Sequence, residues 1–294
     1  MTPHAHPLAD ACTLLFVPGS RPERLPKALA SGAGGVIVDW EDAVAPGDKA
    51  AARTALAQAL AALAPAERAR LALRINARGT PWHEGDLAAV HALAGQGLQA
   101  VVLPKAEDAA GIGEVARALG AAGWVLPLVE SVAGLDALRE LARAPRVLRL
   151  VFGHLDFQAD AGLACGPDEE ELLPVRLQIV LAARAAVLPA PIDGVTPDTR
   201  DLARVQTHAQ RALRGGFGGK LCIHPAQVAA VHAAFRPAPE QLDWARRVVQ
   251  GFEAAGGGVF TLDGRMVDAP VLKLAQRMLQ RARLLDETQD IGKS

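Results

Sequence analysis

GGVIVDWEDAVAPGDKAAARTALAQALAAL (34–63) holds a short apolar run, a knot of acids, and then an Ala- and Leu-rich stretch with helical spacing. The same order recurs along the chain. Strand candidates are CTLLFVP (12–18), GGVIVDW (34–40), RLALRIN (70–76), LQAVVLPK (98–105), GWVLPLVE (123–130), VLRLVFG (147–153), APIDGV (190–195) and GGKLCIH (218–224). Short continuous apolar runs mark parallel strands covered on both faces, and eight β-then-α units close naturally into an α/β fold, the (β/α)8 TIM barrel. An open doubly wound sheet is the competing fold, but no GxGxxG opens the first helix and no glycine loop ends in GK[ST]. Residues 1–236 are therefore expected to form the barrel, and 237–294 a C-terminal extension acting as lid, oligomerisation arm or both. In that extension Pro237-Ala238-Pro239 punctuates the chain before a predicted helix over 240–255. After Gly256-Gly257-Gly258, VFTLDGRMVD reads as a hairpin turning at Asp263-Gly264, and a last helix begins near 270.

The 294 residues carry 31 basic and 32 acidic side chains without long runs of one sign, which disfavours nucleic-acid and membrane-surface partners. Tyrosine chemistry is excluded because the chain has no tyrosine. Cys12, Cys165 and Cys222 are odd in number and form no CxxC pair, so neither a disulfide framework nor a four-thiolate zinc site is expected. The opening MTPHAHPLADA lacks a basic stretch followed by an apolar one, and no apolar run reaches the ~18 residues of a membrane span. A cytoplasmic protein is the expectation.

Barrel enzymes place their chemistry at the C-terminal ends of the strands, so charged residues there need an explanation. Period-two alternation puts Ala72, Arg74 and Asn76 on one face of strand three and Leu71, Leu73 and Ile75 on the other, aiming Arg74 into the barrel top. A guanidinium there binds an anion or sits in an internal ion pair. Glu130 ends strand five and Asp156 follows strand six. Two carboxylates with open positions suit Mg²⁺ or Mn²⁺, whereas the plainer reading makes Asp156 a helix cap and Glu130 a surface residue. Asp39, Glu41 and Asp42 gather after strand two, where they can share the metal shell, orient Arg74 or accept a proton. Lys105, after strand four, is either a Schiff-base lysine or the ion-pair partner of Glu107. Arg21, Arg24 and Lys27 recur every three residues; on a helix N-terminus they would face a phosphorylated ligand, or they are simply solvated. His154 and His224 stand at strand ends within reach of a ligand, while His83, His91, His208 and His232 read as surface or helix residues.

Together LFVPGSRPERLPKAL, DWEDAVAPGDKAAAR, LRINARGTPW, VVLPKAED, LPLVESVAGL, FGHLDFQADAG, PIDGVTPDTRD, GGFGGKLCIHPAQV and DGRMVDAPVLKLA resemble, in order, the citrate lyase β-subunit-like branch of the HpcH/HpaI aldolase superfamily. That branch includes malyl-CoA and citramalyl-CoA lyases. The resemblance implies a barrel whose metal ligands correspond to Glu130 and Asp156, with Arg74 gripping the ketone and carboxylate of the small product. It implies that Arg21, Arg24 and Lys27, with His224, face coenzyme A, and that Glu41 and Asp42 organise Arg74 and the metal's waters. Asp268 is implied as the acid/base reaching a neighbouring subunit's site, in a homotrimer or larger assembly such as a hexamer. Lys105 then becomes structural. The implied reaction is Mg²⁺-dependent cleavage or formation of a β-hydroxyacyl-CoA, giving acetyl-CoA and a 2-ketoacid such as glyoxylate, pyruvate or oxaloacetate. Its rivals are the lyase subunit of a citrate lyase complex served by an acyl-carrier protein, an acyl-CoA thioesterase, and a CoA-independent pyruvate aldolase. Trp40, where the family usually has an aliphatic residue, and the partial match after Asp156 put the acceptor pocket in question.

Overall fold

Eight parallel strands close into a barrel in sequence order: β1 (Thr13–Pro18), β2 (Gly35–Asp39), β3 (Leu71–Arg74), β4 (Ala100–Leu103), β5 (Trp124–Val129), β6 (Val151–Phe152), β7 (Ile192–Asp193) and β8 (Gly219–Cys222). The computed structural model describes residues 6–291, with side chains through 287; the ends of both expected segments, 1–5 and 292–294, lie outside it. Pairing of β1 with β8, Leu14 opposite Leu221, completes the ring. All eight expected strands are present.

Alternation decides what each strand sends inward. Leu14, Ile37, Ala72, Val102, Leu126 and Leu221 fill the barrel interior, whereas Leu15, Val36, Leu71, Val101 and Val125 meet the surrounding helices. Both sets are buried, which is why the strands read as unbroken apolar runs. The N-terminal end is plugged by the turn Pro7–Asp10, whose Leu8 joins the interior cluster. Arg149 fastens that plug by donating to the carbonyls of Leu8, Ala11 and Ala190.

The sixth strand is shorter than VLRLVFG suggests. Val147 and Leu150 face outward and Leu148 and Val151 inward, so each face repeats after three residues instead of two. One extra residue breaks the ladder around Arg149, leaving a single bridge at Val147 and a two-residue strand beyond it.

The extension folds as expected. Helix Pro239–Ala254 is followed by a hairpin of β9 (Phe260–Leu262) and β10 (Arg265–Val267), then helix Ala269–Ile291. Asp263 and Gly264 both take positive φ, 49° and 74°, as a two-residue hairpin turn of this hand requires. Ala245, Val248, Val267 and Ala275 form a small core of its own. Cys12, Cys165 and Cys222 are all free thiols.

Candidate active site

The strand ends surround a cavity of about 400 Å³ lined by Phe16, Asp39, Asp42, Arg74, Glu130 and Asp156, among others. Arg74 is its centre of charge. Its Nε and Nη2 donate to the two oxygens of Asp39 at 2.8 and 2.7 Å, a bidentate pair between adjacent strands in register. Glu41 lies 2.9 Å from Nη1, off the hydrogen-bonding direction, and Asp42 lies 3.0 Å from Nη2. Phe16 packs on the guanidinium at 5.0 Å. Burial opposes the charge, but Asp39, Glu41 and Asp42 outweigh it and hold Arg74 above its ordinary pKa. Asp39 also accepts the backbone N–H groups of Glu41 and Ala43, so one carboxylate shapes the loop that delivers the other acids. Arg74 is thus ion-paired, as one sequence reading has it, and no hydrogen bond from its Nη1 is made among the described residues.

Glu130 is 2% exposed and points inward because Leu126 and Leu128 before it do. It is not a surface residue. Its carboxylate accepts the backbone N–H of Lys105 at 2.8 Å, from a residue held at φ 44°. Burial, then the charge of Glu41, pushes its pKa up to about 9. Burial also raises Glu41, to about 7, against the pull of Arg74. Asp156 is exposed in the first turn of helix His154–Ala161 and lines the same cavity; the N-cap position is Gly153, so Asp156 is not the cap.

These carboxylates fit a divalent cation. Glu130 is buried beside Glu41 and Asp156, makes no ion pair among the described residues and feels only the more distant charge of Arg74, an excess of acid that a small hard cation would neutralise. Among the described residues no cluster of three or more His, Cys, Asp or Glu side chains is set to hold a metal. Glu130 and Asp156 are the residues that would hold such a cation.

Other expected residues fall elsewhere. Lys105 is exposed and Glu107 instead accepts the hydroxyl of Ser131, so the Lys105–Glu107 pair is absent among the described contacts and the backbone of Lys105 reaches the site in place of its ammonium. Arg21, Arg24 and Lys27 are exposed near the mouth but do not share one helix N-terminus. Pro22 and Pro26, which lack an N–H, begin two short turns, Pro22–Arg24 and Leu25–Leu29, and Arg21 pairs with Glu23 at 2.5 Å. His224 is exposed and caps helix Pro225–Phe235 by accepting the N–H of Ala226. Asp268 accepts the N–H of Val271 at the start of helix Ala269–Ile291, and none of the described residues after 236 lines the mouth cavity of its own chain. His83, His208 and His232 are helix residues but buried, whereas His91 is exposed. Trp40 faces outward and does not line the mouth cavity; a Cβ on Gly19 would collide with its ring.

Two groups escaped the sequence reading. Lys49 donates to the carbonyls of Trp40 and Glu41 and to Asn76, bracing the acidic loop from behind. Beside the mouth, Arg176 joins Asp193 to Glu169, and Glu169 lies 3.5 Å from His154, the strand-end histidine already expected near a ligand, which is buried and lines the cavity. Lys49 stood in the quoted DWEDAVAPGDK motif, yet nothing in its spacing marked it as a brace.

Residues 12–225 match the family described as HpcH/HpaI aldolase/citrate lyase, and residues 198–285 a C–C bond lyase of the TIM-barrel fold. A citrate lyase subunit beta-like protein of Mycobacterium tuberculosis is 40% identical across 91% of this chain and 94% of its own length. A (3S)-malyl-CoA thioesterase of Cereibacter sphaeroides is 32% identical across 97% and 98%. The crystal structure of CitE from M. tuberculosis with magnesium, acetoacetate and coenzyme A superposes with TM-score 0.81 at 39% identity, covering 94% of this chain and 99% of that one. With the barrel, the inward Arg74 and Glu130 and these matches in hand, the chain belongs to the HpcH/HpaI aldolase/citrate lyase family of metal-dependent carbon–carbon lyases.

Proposed function

We propose that this protein interconverts a β-hydroxyacyl-CoA of the malyl- or citramalyl-CoA type with acetyl-CoA and a 2-ketoacid. One observation carries the reading: the inward guanidinium of Arg74 shares a cavity with Asp156 and with a buried Glu130 that has no ion-pair partner among the described residues. Magnesium held by Glu130 and Asp156 would polarise the ketone and neutralise the alkoxide. In the condensing direction Asp268 removes the α-proton of the thioester, and the resulting carbanion attacks the ketone carbon. Arg74 orients the ketoacid carboxylate and stabilises the oxygen on which charge develops, its own position fixed by Asp39 and by the loop bearing Glu41 and Asp42. The oxygen then takes a proton; cleavage runs the same steps backwards, with Asp268 returning the proton to the acyl carbon.

Asp268 lies outside its own mouth, so we assign it to the mouth of a neighbouring subunit, where the hairpin arm acts as lid. Leu173, Leu177 and Leu181 project from one helix face at 45, 54 and 58% exposure, an apolar stripe suited to subunit packing in a homotrimer or hexamer. Arg21, Arg24 and Lys27, exposed beside the mouth, are assigned to the phosphates of coenzyme A, with His224 on the same rim. The relative named as a thioesterase gives a second reading, in which water cleaves the thioester. A panel of acyl-CoA substrates with Mg²⁺ tests both: acetyl- or propionyl-CoA plus a ketoacid is expected. Free CoA with intact hydroxyacid would convert the assignment to a thioesterase, and no turnover of any member would remove it.

A further inference from the structure

Arg149, Arg184, Arg277 and Arg281 converge on a second cavity, of about 380 Å³, at the end of the barrel opposite the mouth. One wall consists of residues that precede strands: Cys12 before β1, Arg149 before β6, Ala190 before β7 and Gly218 before β8. The other is helix Ala269–Ile291, which presents Arg277 and Arg281 one turn apart. Arg184 reaches in from the last turn of helix Leu173–Ala185.

Four guanidinium groups here face a single lining carboxylate, Asp10. None of the four makes an ion pair among the described residues. Arg149 spends its N–H groups on carbonyls, and burial lowers its pKa to about 10. The Nε of Arg281 is sealed from solvent without an acceptor, and burial lowers this group too. Arg184 is lowered by burial and then by the charge of Arg277. Like charges gathered around a cavity with an unsatisfied donor call for an anion. Leu188, Phe217, Phe235 and Met278 line the rest, so the anion carries an apolar body.

We propose that this cavity binds a small organic polyanion, a polycarboxylate or phosphate ester, separately from the catalytic mouth, and that the ligand clamps helix Ala269–Ile291 onto the barrel. The experiment uses metal-free protein with citrate or pyrophosphate as probes, each against sodium chloride at equal ionic strength. Either probe is expected to raise Tm by several degrees and to slow hydrogen exchange in residues 269–285. A shift with citrate alone identifies carboxylate as the preferred head, and one with pyrophosphate alone identifies phosphate. The shift should vanish in Arg277→Gln/Arg281→Gln and persist in Arg74→Lys, each measured from its own baseline. If the double variant does not fold, Arg184→Gln is read instead, with an expected affinity loss of at least about tenfold. A chloride shift of equal size, survival of the shift in the cavity variants, or its loss in Arg74→Lys overturns the proposal.

Discussion

Arg74 shows how one side chain concentrates a site. Three carboxylates are assembled around it, and Asp39 becomes a buried anion without its partner if the guanidinium is removed. Arg74→Met is therefore expected to destabilise the fold by about 3 kcal/mol, since breaking a buried pair strands the remaining charge, and urea denaturation measures it. Glu130→Gln is nearly isosteric, keeps an acceptor for the Lys105 N–H and removes the charge. It should fold normally, lose heat of Mg²⁺ binding in calorimetry and lower kcat/KM by at least about 100-fold. Arg74 was legible in the sequence because period-two alternation fixes which face a strand residue takes, and Glu130 because a carboxylate ends strand five. The backbone N–H of Lys105, 25 residues from Glu130, carried no such signal, and neither did Lys49 reaching Asn76 across 27 residues. Contacts of that separation are set by how strands and loops meet at the mouth.

At the scale of elements, the proposed mechanism gives Asp268 a second role, separable from the one its hydrogen bond shows. Its side chain caps helix Ala269–Ile291, a contribution of about 1 kcal/mol that asparagine supplies as well as aspartate. Asp268→Ala should lose both cap and turnover, whereas Asp268→Asn should recover thermal stability and remain inactive. Equal activity of Asp268→Asn and wild type, followed by acyl-CoA release, would remove the assigned base. All eight strands could be read from apolar runs, and the hairpin from its Asp-Gly turn. Two features could not. The extra residue around Arg149 shortens β6 through a demand of the barrel floor, where that guanidinium gathers three carbonyls. The basic triplet after β1 keeps its spacing but loses its common helix face to Pro22 and Pro26.

The whole molecule separates its mouth from the arm that carries Asp268, and two consequences follow at that scale. Co-expressed Glu130→Gln and Asp268→Ala chains should regain activity in mixed assemblies, because some mouths then combine an intact Glu130 with a neighbour's intact Asp268. Homogeneous preparations of either variant should stay inactive. Stability should also depend on acid in a defined window. Burial lowers His6, His208 and His232 from 6.5 to about 4. Between those values the unfolded chain binds protons that the folded one refuses, so the histidines' contribution is full above pH 6.5 and declines as pH falls toward 4, while Glu41 and Glu130, raised to about 7 and about 9, work in the opposite direction above pH 4.5. Each histidine contributes up to about 1.4 kcal/mol per pH unit, measurable as a falling urea midpoint. Among the described residues no helix is long and apolar enough to cross a membrane. The packing of Trp40 against Gly19 has a further consequence. With no tyrosine in the chain, ultraviolet emission comes from four tryptophans alone, and Trp40 is sealed directly behind Asp39. Intrinsic fluorescence therefore includes a reporter one residue from the Arg74 cluster, and a change in emission on filling the mouth is expected to disappear in Trp40→Phe.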